Sequence, residues 1–80
     1  MEYTTYIIYS VSLDRYYVGH TGDLGDRLYR RNNGESKYTK GSGDWRLVWK
    51  RVFPTRSAAM AMEREIKAKK SRKYIEFLAG

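Results

Sequence analysis

Eighty residues without a cysteine must hold a fold by packing alone. Disulfide staples, cysteine-ligated zinc and thiol catalysis fall away together. The one histidine, His20, argues against a Ser–His triad and against a multi-histidine metal site. A chain of this length makes one domain, residues 1–80, with a small core. Eight Tyr, two Trp and two Phe supply the large side chains that such a core needs.

Charge narrows the partners. Sixteen Lys and Arg against nine Asp and Glu leave a net +7. The usual counterparts of that field are nucleic acid, an anionic membrane or another acidic surface. No apolar stretch approaches the ~20 residues of a spanning helix. Met1–Tyr9 has neither a basic start nor a long apolar run, so it does not read as a signal peptide, and a cytoplasmic location is the simplest expectation.

Tyr3–Val11, rich in Tyr, Ile, Thr and Val, reads as a strand, and Tyr16–Thr21 as a second. A four-residue loop, Ser12–Arg15, makes them a hairpin in which Ser10 opposes Tyr17 and Ile8 opposes Gly19. Alternation then puts Tyr6, Ile8, Ser10, Tyr17 and Gly19 on one face, expected to be open. Ile7, Tyr9, Val11, Tyr16 and Val18 share the other, more apolar face.

Asp23 suits the N-cap of a helix from Leu24 to Asn32, with Leu24 and Leu28 on its buried side and Arg27 and Arg31 on a neighbouring one. Glu35–Asp44 reads as a loop and Trp45–Phe53 as a third strand. Thr55 or Ser57 caps a second helix, and Ser71 caps a short last one. The order β-β-α-β-α-α predicts an α+β fold, a three-stranded antiparallel sheet flanked by three helices.

By themselves Tyr6 and Tyr17 are as consistent with aromatic packing as with chemistry. Arg27 has many surface counterparts, and Glu63 with Lys67 forms an ordinary i, i+4 ion pair. His20 is assigned by alternation to the face opposite Tyr17. Lys37, Tyr38 and Lys40 lie in a loop that either touches a substrate or is simply solvated. Arg30 and Arg31 on the first helix, and Lys67 and Lys70 near the last two, suit contacts to a phosphate backbone. No element suited to reading base sequence is present.

Taken in order, Tyr6, Tyr17-Val18-Gly19, Arg27 and Glu63 resemble the signature of the GIY-YIG nucleases. The likeness extends through Lys37-Tyr38-Thr39, Trp45–Trp49 and Ala59–Lys67, which are similar to segments of the small stand-alone bacterial members. It departs at Thr4-Thr5, where the family has glycine and isoleucine, and at Arg31, where many relatives have histidine.

The resemblance implies a metal-dependent endonuclease hydrolysing phosphodiester bonds, in DNA ahead of RNA, with a structure-selective role in repair or recombination. It implies that Glu63 holds one Mg²⁺ or Mn²⁺, that Arg27 binds the scissile phosphate, that Tyr17 is the general base and that Tyr6 positions water or phosphate. Two alternatives stay open. One is a non-catalytic nucleic-acid-binding module; the other is a nuclease subunit that depends on a protein partner for substrate recognition.

Overall fold

The computed structural model describes residues 2–33 and 43–80. Six elements follow one another: β1 Tyr3–Ser10, β2 Arg15–Thr21, α1 Leu24–Asn32, β3 Trp45–Phe53, α2 Arg56–Ala68 and α3 Arg72–Ala79. The strands form one antiparallel sheet in the order β2-β1-β3. β1, the most apolar strand, takes the centre, and β2 is left as an edge. This is the expected α+β arrangement. No helix among the described residues is long and apolar enough to cross a membrane.

The hairpin register differs from the expected one by two. Ile8 pairs with Tyr17 and Tyr6 with Gly19, so the turn is Val11–Asp14 rather than Ser12–Arg15. Local polar chemistry explains the shift. Asp14 adopts φ 50, a left-handed conformation that Asp tolerates better than Arg. Asp44 accepts from Ser10 Oγ at 2.6 Å and from the Ser12 N–H at 2.8 Å, which ends the strand at Ser10. A shift of two preserves the side-chain alternation, so the strand residues keep their predicted faces, while Val11 passes into the turn and is exposed.

The face carrying Tyr6 is not open. Tyr6 and Ile8 are buried with Trp45, and Leu24 and Leu28 of α1 and Leu47 of β3 close over them. The other face packs Ile7 and Val18 against Ile66 of α2, with Ile75 and Leu78 of α3 beside them. The sheet is therefore sandwiched, α1 on one side and α2 with α3 on the other. An irregularity in the β1–β3 pairing between Ile7 and Ile8 lets the consecutive Val48 and Trp49 both join the second cluster.

Each helix begins on a side-chain cap. Asp23, Thr55 and Ser71 accept from the N–H groups of Asp26, Ala58 and Tyr74. Three further bonds fix the helices to the sheet. Asn32 at the end of α1 donates to the Trp45 carbonyl at 2.9 Å and accepts from the Trp45 N–H at 2.8 Å. Buried Thr5 donates to the Ala59 carbonyl at 2.7 Å, pinning α2 to β1 one helical turn before Glu63.

Candidate active site

Chemistry-bearing side chains gather on both flanks of the β2 edge. On the α1 flank, Tyr6 crosses the strand at Gly19. A Cβ on Gly19 would fall 2.7 Å from the Tyr6 Oη and 3.1 Å from Tyr17 Cε1, so only glycine admits the two phenols side by side. The backbone there is ordinary; space is what the position demands.

Arg31 belongs to this cluster rather than to the surface. It is 3% exposed, which leaves little of it to touch a phosphate backbone as expected. Its guanidinium lies 3.8 Å from the centre of the Tyr17 ring, and Nη2 donates to Tyr6 Oη at a long 3.5 Å. Leu24, Leu28 and Arg31 are spaced i, i+4, i+7, the stripe that faces the sheet. That spacing was the available signal for its burial, and the charge masked it.

Burial pushes the Tyr6 phenol above its usual range; Arg31 and Arg27 pull it back in part, and Tyr17 adds to the rise. Arg27 is thus close enough for its field to be felt at Tyr6. It is exposed and makes no ion pair among the described residues. Arg30, one residue before Arg31, is held by Asp26 at 2.9 Å.

Glu63 sits on the α2 flank. His20 Nδ1 lies 2.7 Å from one carboxylate oxygen and Lys67 Nζ 2.8 Å from the other. Burial tends to raise the Glu63 carboxyl, but the bonds from Lys67 and His20 outweigh it and hold the group below its usual value. An ionised carboxylate only accepts, so His20 donates through Nδ1. The alternation that sends His20 away from Tyr17 thus delivers it to Glu63. The four signature residues do not share one face of the hairpin; they straddle its edge. Lys67 spans the gap, 5.9 Å from the Tyr17 ring centre while bonded to Glu63.

The donor set can be compared with a divalent metal. No group of three or more His, Cys, Asp or Glu stands together among the described residues. A lone ionised carboxylate is nevertheless what Mg²⁺ takes when water and substrate phosphate complete its shell. Lys67 is half exposed, and an i, i+4 pair of that kind is worth only about 0.3–0.5 kcal/mol, so it yields readily to a metal. Glu63 therefore fits one Mg²⁺ or Mn²⁺. Lys37, Tyr38 and Lys40 lie outside the described residues. Lys70 is exposed in the turn between α2 and α3.

Comparison with known proteins shows the family and the fold. The family described as the GIY-YIG catalytic domain matches residues 2–75. A UPF0213 protein of Haloquadratum walsbyi is 40% identical over 68 residues, covering 84% of this chain and 76% of the relative. One from Staphylococcus saprophyticus is 34% identical, covering 79% of this chain and 78% of its own. The solution NMR structure of a UPF0213 protein from Bacillus halodurans superposes with a TM-score of 0.60 at 35% identity, over 98% of this chain and 82% of that one. Matched by the family model over nearly its whole length and by relatives of this identity and coverage, this chain belongs to the GIY-YIG nuclease family.

Proposed function

We propose that the domain is a metal-dependent endonuclease that hydrolyses phosphodiester bonds in DNA, acting in the cytoplasm in repair or recombination. The observation that carries the reading is the disposition of charge around Tyr17: Arg31 stacked on its ring, Lys67 beside it, and ionised Glu63 bonded to Lys67.

Each residue has a task that its surroundings suit. Exposed Arg27 would grip the scissile phosphate, where a planar guanidinium can bind two oxygens. Tyr17 takes the proton of the attacking water, and Arg31 and Lys67 put positive charge against it. Tyr6, kept protonated by burial, offers a hydroxyl donor to water or phosphate. Glu63 would hold Mg²⁺ or Mn²⁺, which when bound neutralises charge on the phosphate and the leaving oxygen. His20 orients Glu63 through Nδ1.

The test is nicking of labelled DNA by purified chain with Mg²⁺, Mn²⁺ or EDTA. Glu63→Gln, which keeps size and removes charge, should abolish metal-dependent cleavage and leave folding intact. Tyr17→Phe should lose on the order of 10²–10⁴ in rate, the range for a general base. Wild-type cleavage by Glu63→Gln, with contaminating nuclease excluded, would reject the proposal.

A further inference from the structure

Both oxygens of the Glu63 carboxylate are already engaged. His20 Nδ1 lies 2.7 Å from Oε1, and Lys67 Nζ lies 2.8 Å from Oε2. A metal taken up by this carboxylate must therefore displace a donor, and the two donors differ in how firmly they are held. The His20 side chain is 21% exposed and sits on a short stem fixed in β2. The Lys67 side chain is 53% exposed and ends a flexible four-carbon stem. Lys67 is the one that leaves.

Where its ammonium can go is limited. Among the described residues Lys67 pairs with no acid but Glu63. Its side chain stands between two cavities and is the residue that their linings share. One, of about 220 Å³, is lined with His20 and Glu63; the other, of about 480 Å³, with Tyr17. Nζ is already 5.9 Å from the centre of the Tyr17 ring. The second cavity offers no free carboxylate, because Asp14, the one acid in its lining, is bonded to Arg72 at 2.6 Å. Without a new anion, a displaced ammonium stays close to the metal and repels it. A phosphate lying against Tyr17 removes that conflict.

We propose that Lys67 couples metal binding to DNA binding: it is the counter-ion of Glu63 in the metal-free protein, and passes to a DNA phosphate beside Tyr17 when a metal takes its place. This rests on the nuclease reading of the site. The coupling is reciprocal, so DNA tightens the metal by the factor by which the metal tightens DNA. Direct contact between metal and phosphate adds coupling of its own, and the share due to Lys67 is what the experiment must isolate.

Mn²⁺ affinity is read from the electron paramagnetic resonance of the free ion. The intact chain is measured with and without a hairpin DNA that carries a single-stranded tail. Tyr17→Phe, which keeps the ring and slows cleavage, is the parent throughout. Without DNA, adding Lys67→Met should tighten Mn²⁺ by about two- to fivefold, the range of a half-exposed ion pair. DNA should then strengthen Mn²⁺ binding more in the parent than in Lys67→Met, by about that factor. Lys67→Arg, which keeps charge and reach, should restore the difference. In the parent, Mn²⁺ should steepen the salt dependence of DNA binding by about 1 more than it does in Lys67→Met, because one further cation then meets a phosphate.

Equal strengthening by DNA in the parent and in Lys67→Met would overturn the proposal, even if Lys67→Met alone binds Mn²⁺ more tightly. A charge that stays on Glu63 opposes the metal equally with and without DNA. The nuclease reading fails on different results: Mn²⁺ binding untouched by Glu63→Gln, or no binding of the DNA, would end both. Mn²⁺ binding that needs Glu63 but is coupled to DNA without regard to Lys67 would end this proposal alone.

Discussion

Gly19→Ala puts the packing of the site under a single methyl group. The added carbon would meet Tyr6 Oη at 2.7 Å, Tyr6 Cζ at 2.9 Å and Tyr17 Cε1 at 3.1 Å. Packed carbons prefer roughly 3.5–4.0 Å, so something must move. Tyr6 has little freedom, being 1% exposed and wedged among Ile8, Trp45 and Leu28. Overpacking of this kind costs about 1–3 kcal/mol, and removing a glycine from a strand returns about 0.5–1 kcal/mol. The net is a loss of about 0–2.5 kcal/mol, and its midpoint lowers Tm by roughly 5–10 °C in a domain of this size.

Activity should fall further than stability, because Tyr17 is the softer neighbour and shifts with its ring. A displacement near 1 Å at a reacting group costs about 10²-fold. Thermal melts and urea titrations of wild type, Gly19→Ala, Tyr6→Phe and the double variant measure the effect. Tyr6→Phe deletes the oxygen at the closest contact, so the double variant should be more stable than additivity predicts, with a coupling of about 0.5–3 kcal/mol. An alanine variant that melts with wild type, together with strict additivity, would refute the claim that the phenols require glycine here.

Three further outcomes follow from the same structure. Thr5→Val keeps the shape and deletes the bond to the Ala59 carbonyl, and should cost about 1 kcal/mol in urea unfolding. Arg31→Lys retains a charge but cannot stack a planar group on Tyr17, so it should fold while losing most cleavage in the nicking assay. Bonds from Arg72 and Tyr9 hold Asp14 below the usual carboxylate range. A depressed carboxyl stabilises the fold above its unfolded pKa and loses that contribution as pH falls through the folded one. Urea midpoints should therefore drop between pH 5 and pH 2, and drop less in Asp14→Asn.

The strands, helices and caps were legible because each rests on short-range chemistry. Asp23, Thr55 and Ser71 announce their helices within four residues, and the Tyr, Ile and Thr content of Tyr3–Ser10 announces its strand. What escaped depended on partners distant in sequence. Asp44, far along the chain, captures Ser10 and Ser12 and so moves the turn. Thr5 looked like an eroded family position until Ala59 stood across from it. Arg31 was assigned to phosphate contact on its charge, although its spacing from Leu24 and Leu28 pointed inward. In each case a polar group was satisfied by a tertiary contact, which composition and period do not reveal.

The order of the strands leaves two edges, β2 and β3, and the site forms at the β2 one, where Arg31 of α1 and Glu63 and Lys67 of α2 meet Tyr17 and His20. A central strand has its faces covered and its backbone paired on both sides, leaving only the ends free. β2 pairs on one side alone, so its outer edge admits side chains from the helices above and below it. Residues of opposite parity, Tyr17 and His20, point to different layers yet stand only a few residues apart on the same edge. α1 brings Arg31 and Arg27 to one layer, and α2 brings Glu63 and Lys67 to the other. Neither layer alone assembles both a cation cluster around a phenol and an ionised carboxylate. Placing like charges on one face would cost stability; separating them across a strand lets Lys67 neutralise Glu63 while its ammonium still faces Tyr17. An edge strand is ordinarily a liability to be blunted. Here its open side is where the two half-sites meet.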